Sequence, residues 1–245
     1  MTRQVRPCVP SASRCVPQRK DEGASPVSPP LGGRARRDAD AVGECVPIVA
    51  ALYVATGGVY FGLAGVDPWD EKRDARQYAG PHRVVAHPPC QRWCALAHLN
   101  QHLHGYKIGD DGGCFKHALW AVRTFGGVLE HPAYSIAWTH FGLPRPQHGG
   151  WKRDMFDGGW VCEVSQVAYG HRARKRTWLY AFGVEPQPLQ WKVGGATAKV
   201  SRLRRPKKGG GYVPDSYRNG MRVEDGESKA TPLGFRDALL AIARL

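Results

Sequence analysis

The chain has 245 residues, a formal net charge of +14 at pH 7 and a hydrophobic fraction of 42%. That length and composition suit one globular domain with a substantial core. A run of about 18 apolar residues does not occur, and the N-terminus lacks the apolar stretch of a secretory signal. We therefore expect no membrane partner and a cytoplasmic protein. The seven irregularly spaced cysteines are then expected to be free thiols rather than disulfides.

The positive charge is concentrated in the second half of the chain. Between Arg145 and Arg222 there are 16 Lys and Arg residues against 5 Asp and Glu. Such an imbalance points to a polyanionic partner, most simply nucleic acid. A basic surface without a specific partner would give the same composition.

The chain opens with a segment that is poor in apolar residues. Residues 1–44 carry Pro, Ser, Arg and Gly without a hydrophobic period, which predicts a disordered basic arm. Order is expected to begin at VPIVAALYV, residues 46–54, a compact apolar run typical of a buried strand. A segment interrupted by glycines follows, and DEKRDARQY, residues 70–78, has the composition of a helix.

The middle of the chain alternates between strand-like and helix-like patterns. VVAH, residues 84–87, predicts a short buried strand that ends at two prolines, which lack backbone donors. QRWCALAHLNQHLH, residues 91–104, has helical character. The clearest helix is residues 114–125, where apolar residues recur at helical spacing and two glycines follow. GVLEH, residues 127–131, then predicts a third strand, and residues 159–170 and 177–184 alternate like strands.

Four regions follow from this reading. A disordered arm over 1–44 precedes an α/β core of catalytic type over 45–184. Residues 185–229 form a basic, irregular insertion that is a possible nucleic-acid contact. Residues 230–245 predict an amphipathic closing helix packed on the core, with Thr231 as its N-cap.

The order of elements predicts an α/β fold with a mostly parallel sheet. In such sheets ligands bind beyond the carboxyl ends of the strands. Three strand ends would meet at that edge, at residues 53–58, 87–90 and 130–132. Cys90 and Glu130, the most reactive side chains in these segments, would then lie close together.

A thiol beside a carboxylic acid suits addition to an electron-poor ring. A helix beginning at Gln91 would lower the pKa of the Cys90 thiol and favour the nucleophilic thiolate. The thiolate would add to carbon 6 of a pyrimidine while Glu130 holds ring nitrogen 3. Carbon 5 would then become able to accept a group from a donor.

Five segments resemble, in the same order, those of DNA cytosine-5 methyltransferases. HPPCQRW resembles the Pro-Cys-Gln loop of the nucleophilic cysteine, and GGVLEHPAYS resembles the Glu-Asn-Val strand end that contacts the flipped cytosine. YGHRARKRTWLYAFG is similar to the Gln-x-Arg-x-Arg segment, and LYVATGG resembles the Phe-x-Gly-x-Gly-Gly cofactor loop. KATPLGFRDALLAIARL resembles the terminal Gly-Asn-Ala-Val-Pro-Pro helix, where Pro232 matches. The chain is also similar to small methylase-like proteins of actinobacterial phages, which would act in the host cytoplasm in DNA modification or restriction-modification.

The resemblance implies a reduced Rossmann-like methyltransferase fold, S-adenosyl-L-methionine as donor and DNA as the partner of a monomeric protein. Cys90 would be the nucleophile, Glu130 would hold the base, and Arg174 and Arg176 would position it. The donor site would be lined by residues at the ends of three strands: Tyr53, Gly57, Gly58, Pro89 and, for the ribose, Asp67 or Asp70.

The sequence departs from the family in the donor region. Ala55 stands where the family has the first loop glycine, and His131 replaces the asparagine after the glutamate. The spacer between the donor loop and VVAHPPC is short, residues 59–83, whereas the family has further strands and helices there. The donor pocket would therefore be shortened. This leaves open a second hypothesis, in which a catalytically inactive methyltransferase-like shell only binds nucleic acid.

A zinc site is the other alternative. His87, Cys90, Cys94 and His98 form the pattern H-x2-C-x3-C-x3-H, and thiolate and imidazole are ligands that suit zinc. The usual zinc knuckle is C-x2-C with a separate second pair, which this pattern lacks. Cys90 could also be a small apolar filler of the core, and Glu130 a surface charge at a strand end.

Overall fold

The computed structural model describes residues 48–191, 204–206, 212–214 and 230–245. The predicted arm over 1–44 and most of the basic insertion over 185–229 lie outside these residues. None of the helices in the described part of the chain has the length and apolarity needed to cross a bilayer.

The structure places the strands and helices as follows. The strands are β1 (Val49–Leu52), β2 (Val66–Trp69), β3 (Arg83–Ala86), β4 (Gly127–Pro132), β5 (Lys152–Arg153), β6 (Trp160–Ser165), β7 (Arg176–Phe182), β8 (Arg204–Pro206) and β9 (Tyr212–Pro214). The helices are α1 (Ala97–His104), α2 (Cys114–Phe125), α3 (Ile136–His140) and α4 (Leu233–Arg244). Short 3₁₀ turns occupy Ala75–Gln77 and Gln166–Tyr169.

Seven strands form one mixed sheet in the order β2-β1-β3-β4-β7-β6-β5. The first four of these are parallel, whereas β7 is antiparallel to β4 and β6, and β5 is antiparallel to β6. The α/β fold is confirmed, but the expected mostly parallel sheet is not, because the longest ladders are antiparallel. The connection from β6 to β7 spans residues 166–175, which is too short for the crossover of about a dozen residues that a parallel pair needs.

Helices cover both faces of the sheet. On one face α2 packs against β3 and β4 and buries Phe115. On the other face α4 packs against β1, β3 and β4 and buries Phe235. Successive strand residues point to opposite faces, so Val128 joins the α4 side and Leu129 the α2 side. The core is therefore two apolar layers separated by the sheet.

Helix α2 has the predicted bounds, but two other helices begin later than predicted. Residues 91–96 form turns, and α1 begins only at Ala97. The Cys90 carbonyl accepts the N–H groups of Trp93 and Cys94, which closes a local turn before regular helix starts. The helix expected to begin at Gln91, beside Cys90, thus begins six residues later, at Ala97. In α4 the N-cap is Pro232 rather than Thr231, and no side chain caps the helix.

Strand β2 was not predicted, because its four residues follow glycines and include Pro68. Proline is tolerated there because β2 is the edge strand of the sheet. The segment that follows is not the predicted helix over 70–78 but a series of turns that ends in a short 3₁₀ turn. Asp74 interrupts the helix, since its backbone is left-handed at φ 50° and its side chain accepts the N–H of Arg76.

Candidate active site

The carboxyl ends of β1, β2, β3 and β4 lie at one edge of the sheet because these strands are parallel. Ala86 at the end of β3 is paired with Leu52 of β1 on one side and with Leu129 of β4 on the other. The three predicted segments, 53–58, 87–90 and 130–132, therefore meet at this edge, which we call the carboxyl edge. Because β7 runs in the opposite direction, its first residues lie there too.

The order of the strands creates a switch point at the carboxyl edge. The chain passes from β1 to β2 on one side and then crosses to β3 on the other side of β1. In open α/β sheets, ligands bind in the crevice where the strand order reverses in this way. Residues 53–58 and 87–90 flank that crevice. The fold therefore favours a ligand site between the predicted donor loop and the Pro-Cys loop.

Glu130 lies at the centre of a buried hydrogen-bond network. Its Oε2 is 2.9 Å from Nδ1 of His87, and its Oε1 accepts from Nε2 of Gln166 at 3.3 Å. Nε2 of His87 is in turn 2.8 Å from the hydroxyl of Tyr60. Gln166 also donates to Oγ1 of Thr177 at 2.9 Å. The network thus joins the ends of three strands to the loop after β1.

The surroundings keep Glu130 ionised. Burial raises the pKa of the Glu130 carboxyl, but the hydrogen bond from His87 and the attraction of His87 and Lys175 outweigh it and hold this pKa below its usual range. Burial also raises the pKa of Tyr60, so its hydroxyl stays protonated. Neutral His87 can donate to Glu130 and accept from Tyr60, and doubly protonated His87 can donate to both. Glu130 is therefore a carboxylate at rest, and His87 is its nearest ring nitrogen, at 2.9 Å.

His131 follows Glu130 on β4 and points to the opposite face of the sheet. Its ring is fully buried, 5.2 Å from the ring of Phe115 and 6.2 Å from that of Trp138, centroid to centroid. Neither ring nitrogen has a hydrogen-bond partner among the described residues. Burial lowers the pKa of His131 to about 4, and the nearby Glu130 carboxylate and Pro89 carbonyl offset only part of this effect. His131 is therefore neutral at physiological pH.

The Pro-Cys loop is tied to the segment after β4. Cys90 is half-buried in this loop, next to exposed Pro89. The Trp93 carbonyl accepts the N–H of Ile136 at 2.8 Å and the hydroxyl of Ser135 at 3.2 Å. The loop that carries Cys90 is thereby held beside the end of β4.

The predicted donor loop has an exposed glycine, Gly57, at the switch point. Tyr53 has a left-handed backbone, at φ 60°, and its hydroxyl is 2.9 Å from Nδ1 of His117. At Gly57, also left-handed, an added Cβ would meet nothing within 4 Å. At Gly58 an added Cβ would lie 2.9 Å from the Ala55 carbonyl, so the turn requires glycine there. A ligand could therefore approach the backbone closely at Gly57.

The two acidic candidates for the ribose differ in position. Asp70 directly follows β2, at the carboxyl edge, and accepts from the Thr56 hydroxyl at 2.6 Å and from the Arg73 N–H at 3.0 Å. These hydrogen bonds lower the pKa of Asp70. Asp67 lies within β2, where it is bonded to Trp69 and Arg73. Asp70 therefore ties the donor loop to the end of β2, and Asp67 does not reach the loop.

The two predicted arginines have different environments. Arg176 opens β7, and its Nη2 and Nε lie 2.6 and 2.9 Å from Oε1 of buried Glu163. The other oxygen of Glu163 accepts from the indole of Trp178 at 3.0 Å. Arg174, two residues earlier, is exposed. Arg176 is thus held in place by a buried carboxylate, whereas Arg174 projects from the surface.

Sequence reasoning missed several of these side chains, namely Tyr60, Gln166 and Glu163. For Glu163 a signal was present, because a charged residue in the middle of the apolar strand WVCEVS requires a buried partner. For Tyr60 and Gln166 the local sequence carries no such signal.

The zinc pattern does not assemble into a metal site. Both ring nitrogens of His87 are used in the network with Tyr60 and Glu130. Cys94 is buried near the Asn100 amide, and His98 is exposed. Across the described ranges, no three metal-binding side chains come together.

Neither a protein-family model nor a curated protein matches the chain. Function must therefore be inferred from the side chains gathered at the carboxyl edge.

Proposed function

We propose that the protein is a DNA cytosine carbon-5 methyltransferase-like enzyme with a reduced Rossmann-like methyltransferase fold. One observation carries this proposal. The loop of Cys90 and the strand end of Glu130 lie on neighbouring parallel strands and are joined through the Trp93 carbonyl. The donor-type loop, residues 53–58, follows the next strand of the same sheet. Three segments with cytosine-5 methyltransferase-like sequences, far apart in the chain, therefore share one edge.

Cys90 would act as the nucleophile. Its thiolate would add to carbon 6 of a cytosine, forming a sulfur–carbon bond and moving the electrons of the ring double bond towards carbon 5. Carbon 5 could then displace a methyl group from a sulfonium donor, which would leave as a thioether. Passage of the carbon 5 proton to solvent would break the sulfur–carbon bond, and return of the nitrogen 3 proton to Glu130 would restore the ring. The target cytosine would have to leave the base stack to reach the carboxyl edge.

Glu130 and His87 would balance the charge that this addition creates. When His87 carries both ring protons, the proton on Nδ1 can pass to Glu130, 2.9 Å away. The protonated carboxyl would have to turn away from His87 to donate to ring nitrogen 3, and the Tyr60 hydroxyl would accept from the neutral His87 that remains. The network thus supplies a proton to a carboxyl group that is ionised at rest.

S-adenosyl-L-methionine, when bound, would supply the methyl group. The exposed backbone at Gly57 would lie beside the donor, and Asp70, which follows β2, would be the candidate for its ribose. Asp70 is only 4% exposed and accepts from Thr56, so the sugar hydroxyls would have to displace the Thr56 hydroxyl. Tyr53, Gly58 and Pro89 lie along the same edge.

The basic residues at the carboxyl edge fit a DNA partner. Exposed Arg174 would contact a phosphate, which would make the affinity depend on salt. Arg176, which Glu163 holds in one orientation, would position the base with its planar guanidinium.

DNA that contains 5-fluorocytosine tests this function. In the presence of the methyl donor, the wild-type protein should form an adduct that survives denaturation, because fluorine cannot leave carbon 5 as a proton would. Cys90→Ala should form none. Cys94→Ala, which removes a buried thiol four residues later, is the matched control and should retain the adduct. An adduct on Cys90→Ala would remove Cys90 from the mechanism.

A methyltransferase-like protein that only binds nucleic acid is the second candidate. It is favoured by the short donor region and by the occupied carboxylate of Asp70. Calorimetry with S-adenosyl-L-methionine separates the two candidates. Binding with micromolar-scale affinity excludes the pure nucleic-acid binder. DNA binding without any heat from the methyl donor supports it.

A further inference from the structure

Tyr134 is an exposed aromatic residue in a strained backbone conformation at the carboxyl edge. It lies two residues past β4, its φ is 64°, and 41% of the residue is exposed. A left-handed conformation is an outlier for a bulky side chain and persists only where the surrounding structure holds it. Here the N–H of Ala133 donates to the Arg176 carbonyl at 3.0 Å, and Ser135 caps α3. The backbone of Tyr134 is therefore held on both sides.

The Tyr134 ring rests on two side chains that one buried carboxylate orients. Glu163 accepts from Arg176 with one oxygen and from Trp178 with the other. The Arg176 guanidinium carbon lies 4.8 Å from the centroid of the Tyr134 ring, and the Trp178 ring lies 5.4 Å from it. The ring is thus in contact with two oriented side chains, while 41% of the residue remains exposed.

Two arginines, Arg145 and Arg176, place their guanidinium groups near this ring. Exposed Arg145 lies 6.0 Å from the ring centroid, and prolines on either side restrict its backbone. Arg174 is exposed at the same edge. A nucleic-acid strand offers both a flat base for the ring and phosphates for the arginines. An apolar peptide would leave these arginines unmatched.

We propose that Tyr134 is a stacking platform for an unstacked nucleobase, with Arg145 on the neighbouring phosphate. This inference depends on the proposed function only for the class of partner, which is nucleic acid. It adds a contact point beyond Cys90 and Glu130. The platform would hold a base that neighbours the target in the strand.

Fluorescence anisotropy with a short labelled single-stranded oligodeoxynucleotide tests the platform. Tyr134→Ala should raise the dissociation constant by about tenfold, which is the usual effect of losing one base–aromatic stack. Tyr134→Trp should bind at least as tightly as the wild type. Phe156→Ala is the matched control and should bind like the wild type, because Phe156 is fully exposed but lies at the opposite edge, before β6.

The salt dependence of binding separates stacking from charge. Tyr134→Ala should leave the slope of log affinity against log salt unchanged, since a stacked ring releases no counterions. Arg145→Ala should reduce that slope by about 0.7, the value for one phosphate contact on a single strand. A reduced slope in Tyr134→Ala would mean that the ring only positions the arginines and would overturn the platform.

A second variant guards against misfolding. Tyr134→Gly relieves the left-handed strain, so it should fold at least as stably as Tyr134→Ala and bind as weakly. Wild-type affinity in both variants would overturn the platform. It would not bear on the proposed catalysis, which the 5-fluorocytosine adduct tests separately. Weak binding in both variants, together with no 5-fluorocytosine adduct on the wild type, supports the platform and overturns the proposed catalysis.

Discussion

His87 is the residue on which the charge of Glu130 depends. It lies between a tyrosine hydroxyl at 2.8 Å and the buried carboxylate at 2.9 Å, so it uses both ring nitrogens. In the sequence it directly precedes Pro88, Pro89 and Cys90, the proposed nucleophile. The residue that precedes the Pro-Cys loop therefore also holds the pKa of Glu130 below its usual range.

Replacing His87 by phenylalanine should leave Glu130 buried without its main hydrogen-bond donor. The pKa of Glu130 should then rise, and the free energy of unfolding at pH 7 should fall by about 3 kcal/mol. The deficit should shrink as the pH is lowered, because protonated Glu130 can be buried at less cost. Urea denaturation at pH 7 and pH 5 measures both effects.

The same substitution in a Glu130→Gln background is the control for His87. Removing the carboxylate first should make His87→Phe cost less, with a coupling energy of about 2 kcal/mol between the two positions. A coupling energy near zero would show that the two side chains do not support each other.

At the scale of secondary structure, the contact between β3 and β4 determines the site. These two strands hold the Pro-Cys loop and the Glu130 end side by side. Their pairing begins at Gly127, whose φ is 122° and where an added Cβ would lie well inside the contact distance of the Val84 backbone. Gly126 just before it ends α2, and its carbonyl accepts the N–H of Val84 at 2.9 Å. The two glycines thus allow the chain to leave α2 and pair at once with Val84 of β3 as the first residues of β4.

Gly127→Ala should therefore separate β3 from β4. We expect a loss of more than about 4 kcal/mol in the free energy of unfolding, or no soluble protein at all. Gly105→Ala is the matched control, since Gly105 also has a positive φ, 66°, but has no neighbour within 4 Å of an added Cβ. It should cost only about 1–2 kcal/mol. Equal effects of the two substitutions in denaturant titrations would contradict the close approach of the strands.

At the scale of the whole molecule, polar groups without partners are buried near the carboxyl edge. Among the described residues these include both nitrogens of His131, the indole N–H of Trp138, the Ser165 hydroxyl and one oxygen of Gln166. Each such group lowers stability, and native proteins retain few of them. Within the described part of the chain, buried nitrogens of Arg83 and Arg244 at the opposite edge also lack partners, so such groups are not confined to the carboxyl edge.

The stability of the molecule should decline as the pH falls below about 6.5. The folded-state pKa of His131 is about 4, below its unfolded value, so the folded state resists protonation that the unfolded chain accepts. Its contribution is intact above pH 6.5 and is lost as the pH falls towards 4, by roughly 3 kcal/mol. The depressed pKa of Glu130 acts in the same direction at still lower pH. Chemical denaturation at pH 7.5 and pH 4.5 measures this loss.

His131→Phe should remove most of that pH dependence. The ring makes no hydrogen bond within the described residues, so phenylalanine should be tolerated at pH 7.5 and should be clearly more stable than the wild type at pH 4.5. Phe115→Leu in the same aromatic cluster is the control, because it has no titratable group and should cost a similar amount at both pH values. An unchanged pH dependence in His131→Phe would mean that another group is responsible.

Local signals in the sequence determined α2 and β4. Apolar residues at helical spacing, followed by two glycines, were enough to predict residues 114–125 and the strand after them. The parallel course of β1, β3 and β4 also followed from the alternation of elements, and with it the meeting of three strand ends at one edge. Patterns of this kind depend on neighbours in the chain, so they can be read without coordinates.

Tertiary structure decided what touches Glu130. Tyr60, His87 and Gln166 come from different parts of the chain, and the packing of the loops that carry them brings them into one hydrogen-bond network with Glu130. It also decided the strand β2, where an edge position tolerates Pro68, and the antiparallel half of the sheet, where a short connection prevents a crossover. Contacts between segments distant in sequence depend on register and packing across the whole sheet, which no local pattern encodes.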